Sequence, residues 1–359
     1  MKTILCAIKM ISGGHNFSDD FDLKSSGIIL QKTDLPFENG GVFNPACIER
    51  AGFIHMFYRA ATDKNHSTIG YAKLDGENNV VFRMDRPFLF PEFDYESHGL
   101  EDPRIVCIDE VYYIFYTAFD GENARVAYAQ SANLITFEKK GLVSPAITYA
   151  EVLSILNRGK LSEKYFWFGE NYQKIFSKNL LLWEKDFFLF PRKIGGKFAV
   201  LHRVLPGIQL ITVDRLDELK DIEFWKNYLH RLEDAIVLDP KFWFESRLIG
   251  GGAPVIETPH GWLMIYHAVE DPYPSRVYRA CAALLDLDNP RKVIGRLREP
   301  LFSPTEPWEK KGVVNNVVFP TSALLRGGRL HIYYGAADYC IAVKSLDPAR
   351  LLGVLMKSK

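Results

Sequence analysis

The chain has 359 residues, 47% of them hydrophobic and 25% charged, a globular composition with enough apolar residues for a sizeable core. Its 44 basic residues balance 44 acidic ones, so no excess of positive charge suits it to nucleic acid or to an anionic membrane. Its five cysteines (Cys6, Cys47, Cys107, Cys281 and Cys340) are scattered and form no C-x-x-C pair, which argues against a disulfide framework and against a zinc site.

The first residues, MKTILCAIKMISGG, imitate a secretory signal only weakly, because Lys9 breaks the apolar run and no small-residue cleavage site follows. No stretch reaches the roughly 18 apolar residues of a membrane span. A cytoplasmic protein is expected. From Gly52 a nine-residue pattern begins to recur. It reads GFIHMFYRA at Gly52, EVYYIFYTA at Glu110, GKFAVLHRV at Gly196, GWLMIYHAV at Gly261 and GRLHIYYGA at Gly328. Each run leaves a turn and continues as aromatic and β-branched residues, which predicts a buried strand. One slot holds Tyr58, Tyr116, His202, Tyr266 and Tyr334, at intervals of 58, 86, 64 and 68 residues. Each interval suits one four-stranded blade.

Short apolar runs precede four of these strands: FNPACI, LEDPRIV, GAPVI and NNVVFPTSAL. Others follow three of them: TIGYAKL, ARVAYAQS and YRACAALLDL. The repeat predicts an all-β chain, one five-bladed β-propeller domain over residues 1–359, whose ring leaves few exposed sheet edges. A β-sandwich is the alternative. Helical signal is thin. Residues 216–225 suggest a short helical excursion, and Asp347-Pro348 opens a C-terminal helix or strand.

In a propeller the first strand of each blade lines the central channel. Asn44, Asp102, Arg104 and Asn316 fall at the starts of those strands. Arg59, Thr117, Arg203 and His267 follow the Tyr/His slot, where ordinary packing takes an apolar residue. Any one of them could satisfy a buried backbone group, whereas the set points to convergence on a ligand. Asp102, in HGLEDPRIV, is the sharpest case: a carboxylate among apolar strands can serve as a general acid. Its plain alternative is an ion pair with Arg104. The glycines of FESRLIGGGAP permit close backbone approach to a ligand, or simply a tight turn.

These blocks, with KDFFLFP, IGGGAPVIET and YYGAAD, resemble glycoside hydrolase family 130, the β-mannoside phosphorylases and related β-mannosidases, from about Phe43 to Asp338. The resemblance implies a five-bladed propeller, a β-mannoside oligosaccharide as partner, frequent homo-oligomers, and no cofactor beyond inorganic phosphate as co-substrate in a phosphorylase. It implies inverting attack at a mannosyl anomeric carbon, with Asp102 as the acid, acting through a mannose hydroxyl in the phosphorylases. The implied sugar or phosphate contacts are Asn44, Arg59, Arg104, Arg203, His267, Tyr278 and Asp338, and Arg247 and Lys185 add positive charge. Thr68 and Leu248 stand where such phosphorylases tend to carry Arg and Lys. An inverting hydrolase needs a second carboxylate as base. Glu233, in HRLEDAIVL, is the first candidate, and Glu184 and Glu245 are others. The sequence thus leans to a β-mannosidase, with phosphorolysis next and a non-catalytic sugar-binding propeller third. A furanoside-cleaving propeller is disfavoured, because the blade starts carry Asn44, Asp102 and Asn316 rather than three separated carboxylates. No metal is implied, since the nine histidines show no ligand-like spacing.

Overall fold

The computed structural model describes residues 20–272 and 274–358, so the signal-like start and Cys6 lie outside the described residues. Five antiparallel blades form the ring. The N-terminal strand β1 (Lys24–Gln31) does not begin the first blade. That blade runs outward through β2 (Gly41–Arg50), β3 (Phe53–Ala61), β4 (Ser67–Leu74) and β5 (Val80–Arg83). The second is β6 (Gly99–Ile108), β7 (Val111–Phe119), β8 (Ala124–Ser131) and β9 (Glu138–Leu142). Helices α1 (Tyr149–Ile155) and α2 (Glu163–Ile175) then interrupt the repeat.

The third blade is β10 (Phe188–Leu189), β11 (Phe198–His202), β12 (Ile208–Val213) and β13 (Ile236–Leu238), with α3 (Ile222–His230) inserted before its last strand. The fourth pairs β14 (Leu248–Gly251) and β15 (Ile256–Thr258) with β16 (Gly261–Glu270), then β17 (Val277–Leu285) and β18 (Val293–Arg296). After the single-turn α4 (Pro307–Lys310), the fifth blade comprises β19 (Val318–Arg326), β20 (Arg329–Ala336) and β21 (Cys340–Leu346), and β1 completes its outer edge. The first and last strands among the described residues are thereby joined in one sheet. On the inner side Thr321 Oγ1 donates to Pro45 O at 2.7 Å, and Cys47 N donates to Ser322 Oγ at 3.0 Å, tying the last blade to the first. The terminal helix α5 (Pro348–Lys357) is capped by Asp347, which accepts from the backbone N–H of Ala349 and Arg350.

The recurring Tyr/His slot has a physical role beyond packing. Tyr58 donates to Glu38 at 2.9 Å, Tyr116 to Glu96 at 2.7 Å, Tyr266 to Glu245 at 2.8 Å and Tyr334 to Glu309 at 2.6 Å. His202 stands 3.0 Å from Glu184. All five glutamates are fully buried. A cation neutralises each of the first four: Arg83, Lys139, Arg296 and Lys344 respectively. Glu96, Glu245 and Glu309 also accept from backbone N–H groups of the loop ahead of them. The carboxylates clamp each preceding loop onto its blade. The four carboxylates paired with both a tyrosine and a cation are costly to break, whereas Glu184 has only His202 and leaves Oε1 without a partner.

Candidate active site

Four blades place a residue of left-handed backbone at or just before the inner strand: Asn44 (φ 50°), Asp102 (φ 50°), Asp186 (φ 57°) and Asn316 (φ 60°). Asn and Asp tolerate this region better than other non-glycine residues. In the first two blades the strand bulges there. Phe43 pairs with Arg59 and the next pair is Ala46 with Phe57, and likewise Glu101 pairs with Thr117 before Arg104 pairs with Phe115. A bulge re-aims its side chain, and here it brings Asn44 and Asp102 together. Asn44 Nδ2 donates to Asp102 Oδ1 at 2.7 Å. Gly335 makes room for this, because a Cβ there would stand 2.0 Å from Asn44 Oδ1.

Arg59 lies 2.6 Å from Glu101 and 3.6 Å from Asp102, and Lys185 closes on Glu101 at 3.1 Å. Burial pushes the Asp102 carboxyl up, but Arg59, Lys185 and Arg104, with the Asn44 hydrogen bond, bring it below the usual carboxylate value. Asp102 is therefore ionised in the free protein. Asp338, buried beside Asp102 and Glu101, is pushed up to about 6 by desolvation and only partly relieved by Arg59.

A second cluster faces blades three and four. Asp186 stands at its centre, 2.7 Å from Arg203, 3.7 Å from Arg104 and 3.8 Å from His267. Gly250 is required beside them, since a Cβ would lie 2.4 Å from both Asp186 and His267. Arg104 also donates to the carbonyls of Gly252 and Asp102. Burial holds His267 neutral, down to about 4. Its ring packs 4.4 Å from Phe319 and 6.3 Å from Tyr278. Buried polar atoms without a hydrogen-bond partner concentrate here: Asn44 Oδ1, Asp186 Oδ2, Arg104 Nη2, Arg203 Nε and both His267 nitrogens. Such groups are costly to leave unmatched, and together they describe a receptor for a polar, anionic ligand.

The structure thus gathers Asn44, Arg59, Asp102, Arg104, Arg203, His267, Tyr278 and Asp338 into one connected cluster. Arg247 stands at the rim, paired with Asp271 and 5.6 Å from the Phe168 ring. Leu248 packs with Phe168, Leu205 and Val269. Glu233 does not join the cluster. It sits in a helical turn ahead of β13, the outermost strand of its blade, and pairs with Lys160 at 2.8 Å. Glu184 and Glu245 belong to the blade clamps. Asp186 was missed by the sequence reading. Its only signal is its place in KDFFLFP, immediately before a two-residue strand. Among the described residues no group of three or more His, Cys, Asp or Glu is placed to hold a metal, and no helix is long and apolar enough to cross a membrane.

Residues 24–357 match a family model described as beta-1,4-mannooligosaccharide phosphorylase. The chain is 35% identical over 336 residues to a 1,2-beta-oligomannan phosphorylase of Thermoanaerobacter sp., covering 90% of this chain and 96% of that one. It is 32% identical over 347 residues to a beta-1,2-mannobiose phosphorylase of the same organism, covering 92% and 97%. Among solved structures, a beta-1,2-mannobiose phosphorylase of Listeria innocua superposes with a TM-score of 0.69 at 21% identity, covering 94% of this chain and 100% of that one. A putative glycoside hydrolase of Bacteroides ovatus superposes with a TM-score of 0.69 at 26% identity, covering 90% and 94%. These sequence relatives matched along nearly their full length are phosphorylases, which favours phosphorolysis over the hydrolysis expected from the sequence, and Glu233, the expected base, pairs with Lys160 instead of joining the Asp102 cluster. With the propeller, the Asp102 cluster and the match over nearly its whole length, the chain belongs to glycoside hydrolase family 130 and is an enzyme that cleaves β-mannosidic linkages.

Proposed function

We propose that this chain is an inverting β-mannoside phosphorylase acting on β-1,2-linked manno-oligosaccharides and releasing α-mannose 1-phosphate. One observation carries the choice of nucleophile. Two guanidiniums, Arg104 and Arg203, and the neutral His267 converge on the single carboxylate of Asp186, leaving net positive charge and unpartnered donors. Phosphate meets that demand through charge-assisted hydrogen bonds. Water would leave it unmet.

Inversion needs acid and nucleophile on opposite sides of the sugar. Asp102 leans toward Asn44 and Arg59, and the cationic group faces blades three and four, so a mannosyl ring between them has one on either side. A phosphate oxygen bonds to the anomeric carbon as the glycosidic C–O bond breaks. The leaving oxygen takes the proton that originates on Asp102. Phosphate is already an anion, so no base is required. The cations that hold Asp102 ionised are offset when phosphate arrives, which favours the protonated acid the reaction needs. The β-1,2 linkage rests on the two relatives matched along their full length.

The test is product identity from β-1,2-mannobiose, followed by ³¹P NMR, with β-1,4-mannobiose in parallel. α-Mannose 1-phosphate from the β-1,2 substrate supports the reading. Free mannose formed equally with and without phosphate would overturn it.

A further inference from the structure

The helical insertion after the second blade raises a wall beside the catalytic cluster. Helix α2 packs Phe168 against Leu205, Leu248 and Val269 near the rim. At its far end Tyr172 and Phe176 meet Trp183, with ring centroids 5.3 and 4.9 Å from the indole. Trp183 Nε1 donates to Glu122 O at 3.0 Å, in the β7–β8 turn on the face where Asp102 opens. Lys185 Nζ lies 5.6 Å from the indole centroid and also holds Glu101, the neighbour of Asp102. The indole is thus locked in orientation and adjoins the catalytic ion pairs. It is only partly buried, and Phe176 beside it is 49% exposed. Trp183 and Tyr172 rest on the large apolar cluster beneath them, and their partly exposed side, with Phe176, forms an aromatic ledge. Apolar surface left open at the mouth of a polar channel marks a ligand contact.

A β-linked mannosyl ring has the complementary surface. Its axial hydrogens on carbons one, three and five share one face, and the axial hydroxyl on carbon two lies on the other. We infer that Trp183, buttressed by Tyr172 and Phe176, is the platform on which a sugar ring of the leaving oligosaccharide stacks, making it a specificity-determining residue for the acceptor side. This rests on the phosphorylase reading for its direction. The transferred mannosyl unit occupies the channel between Asp102 and the Arg203 group, so further rings extend outward past the Lys185–Glu101 pair onto the ledge.

The experiment compares wild type, Trp183→Ala and Trp183→Phe in the synthetic direction, with α-mannose 1-phosphate as donor and β-1,2-mannobiose as acceptor. A stacked ring is worth roughly three- to ten-fold in affinity. KM for the acceptor should rise by that factor in Trp183→Ala and much less in Trp183→Phe, with KM for α-mannose 1-phosphate unchanged. An unchanged acceptor KM, or an equal rise for the donor, overturns the platform. Calorimetric titration with β-1,2-mannotriose in the absence of phosphate reads the same contact without turnover. Weaker binding by Trp183→Ala alone supports the platform even if wild type proves unable to use phosphate, and equal binding by all three proteins overturns it. Melting curves for the three proteins separate loss of contact from loss of fold.

Discussion

Asp338 has a carboxyl desolvated beside Asp102 and Glu101, whose replacement should stabilise the protein while damaging its site. In the folded chain the carboxyl titrates near 6, against an ordinary 3.8. The folded state therefore holds this proton more tightly than the unfolded one. Stability from that preference is complete below about pH 3.8 and is lost as pH rises to about 6. The difference corresponds to roughly 3 kcal/mol at most, and about 1–3 kcal/mol once partial solvent access is allowed for. Asp338→Asn removes the titration and keeps a residue type that tolerates the left-handed backbone, φ 51° at this position.

His267 works in the opposite sense over the same range. Its pKa is depressed from 6.5 to about 4, so its contribution is lost as pH falls through that window. In wild type the two nearly cancel between pH 4 and 6. The variant should be more stable than wild type by about 1–3 kcal/mol at pH 7.5, with the gain shrinking toward zero near pH 4. Urea unfolding of both proteins at the two pH values measures it, with mannoside KM as the functional readout. A variant less stable than wild type at pH 7.5, or a gain independent of pH, would refute the reasoning.

Three further outcomes follow from the geometry. Asp102→Asn, tolerated at φ 50°, should lower kcat by roughly 10²–10⁴-fold and leave mannoside binding measurable by calorimetry. Glu233→Gln should leave kcat within about two-fold of wild type, because that carboxylate pairs with Lys160 away from the cluster; a loss of a hundred-fold in steady-state assays would restore it as a base. Glu245→Gln should cost about 3–5 kcal/mol in chemical unfolding, because it strands Arg296 in the fourth blade's clamp.

The number of blades was legible because each contributes a hydrophobic, aromatic second strand that repeats at blade length. The candidate cluster was legible where Asn-Pro and Asp-Pro mark a bulge in the inner strand, as at Asn44 and Asp102. The third blade hides its equivalent: Asp186 precedes a strand of only two residues, and no proline flags it. The clamps were missed for another reason. Each glutamate lies 18 to 25 residues before its Tyr or His partner, across a loop of irregular sequence. That spacing, found in all five blades, is the signal that would have revealed them and withdrawn Glu184 and Glu245 as bases. Helices α1 and α2 interrupt a β repeat, and their aromatic residues read equally well as strand. Glu233 is the first candidate base by sequence, but sequence position does not reveal that it precedes an outer strand.

The most direct test of the central claim is the phosphate dependence of mannoside cleavage by wild type and Arg203→Gln. Wild-type rates should rise hyperbolically from near zero with added phosphate. The variant should require roughly ten- to a hundred-fold more phosphate, with mannoside KM within about two-fold. Identical phosphate dependence in the two proteins, or full wild-type activity without phosphate, would contradict the assignment of the Arg104–Arg203–His267 group as the phosphate site.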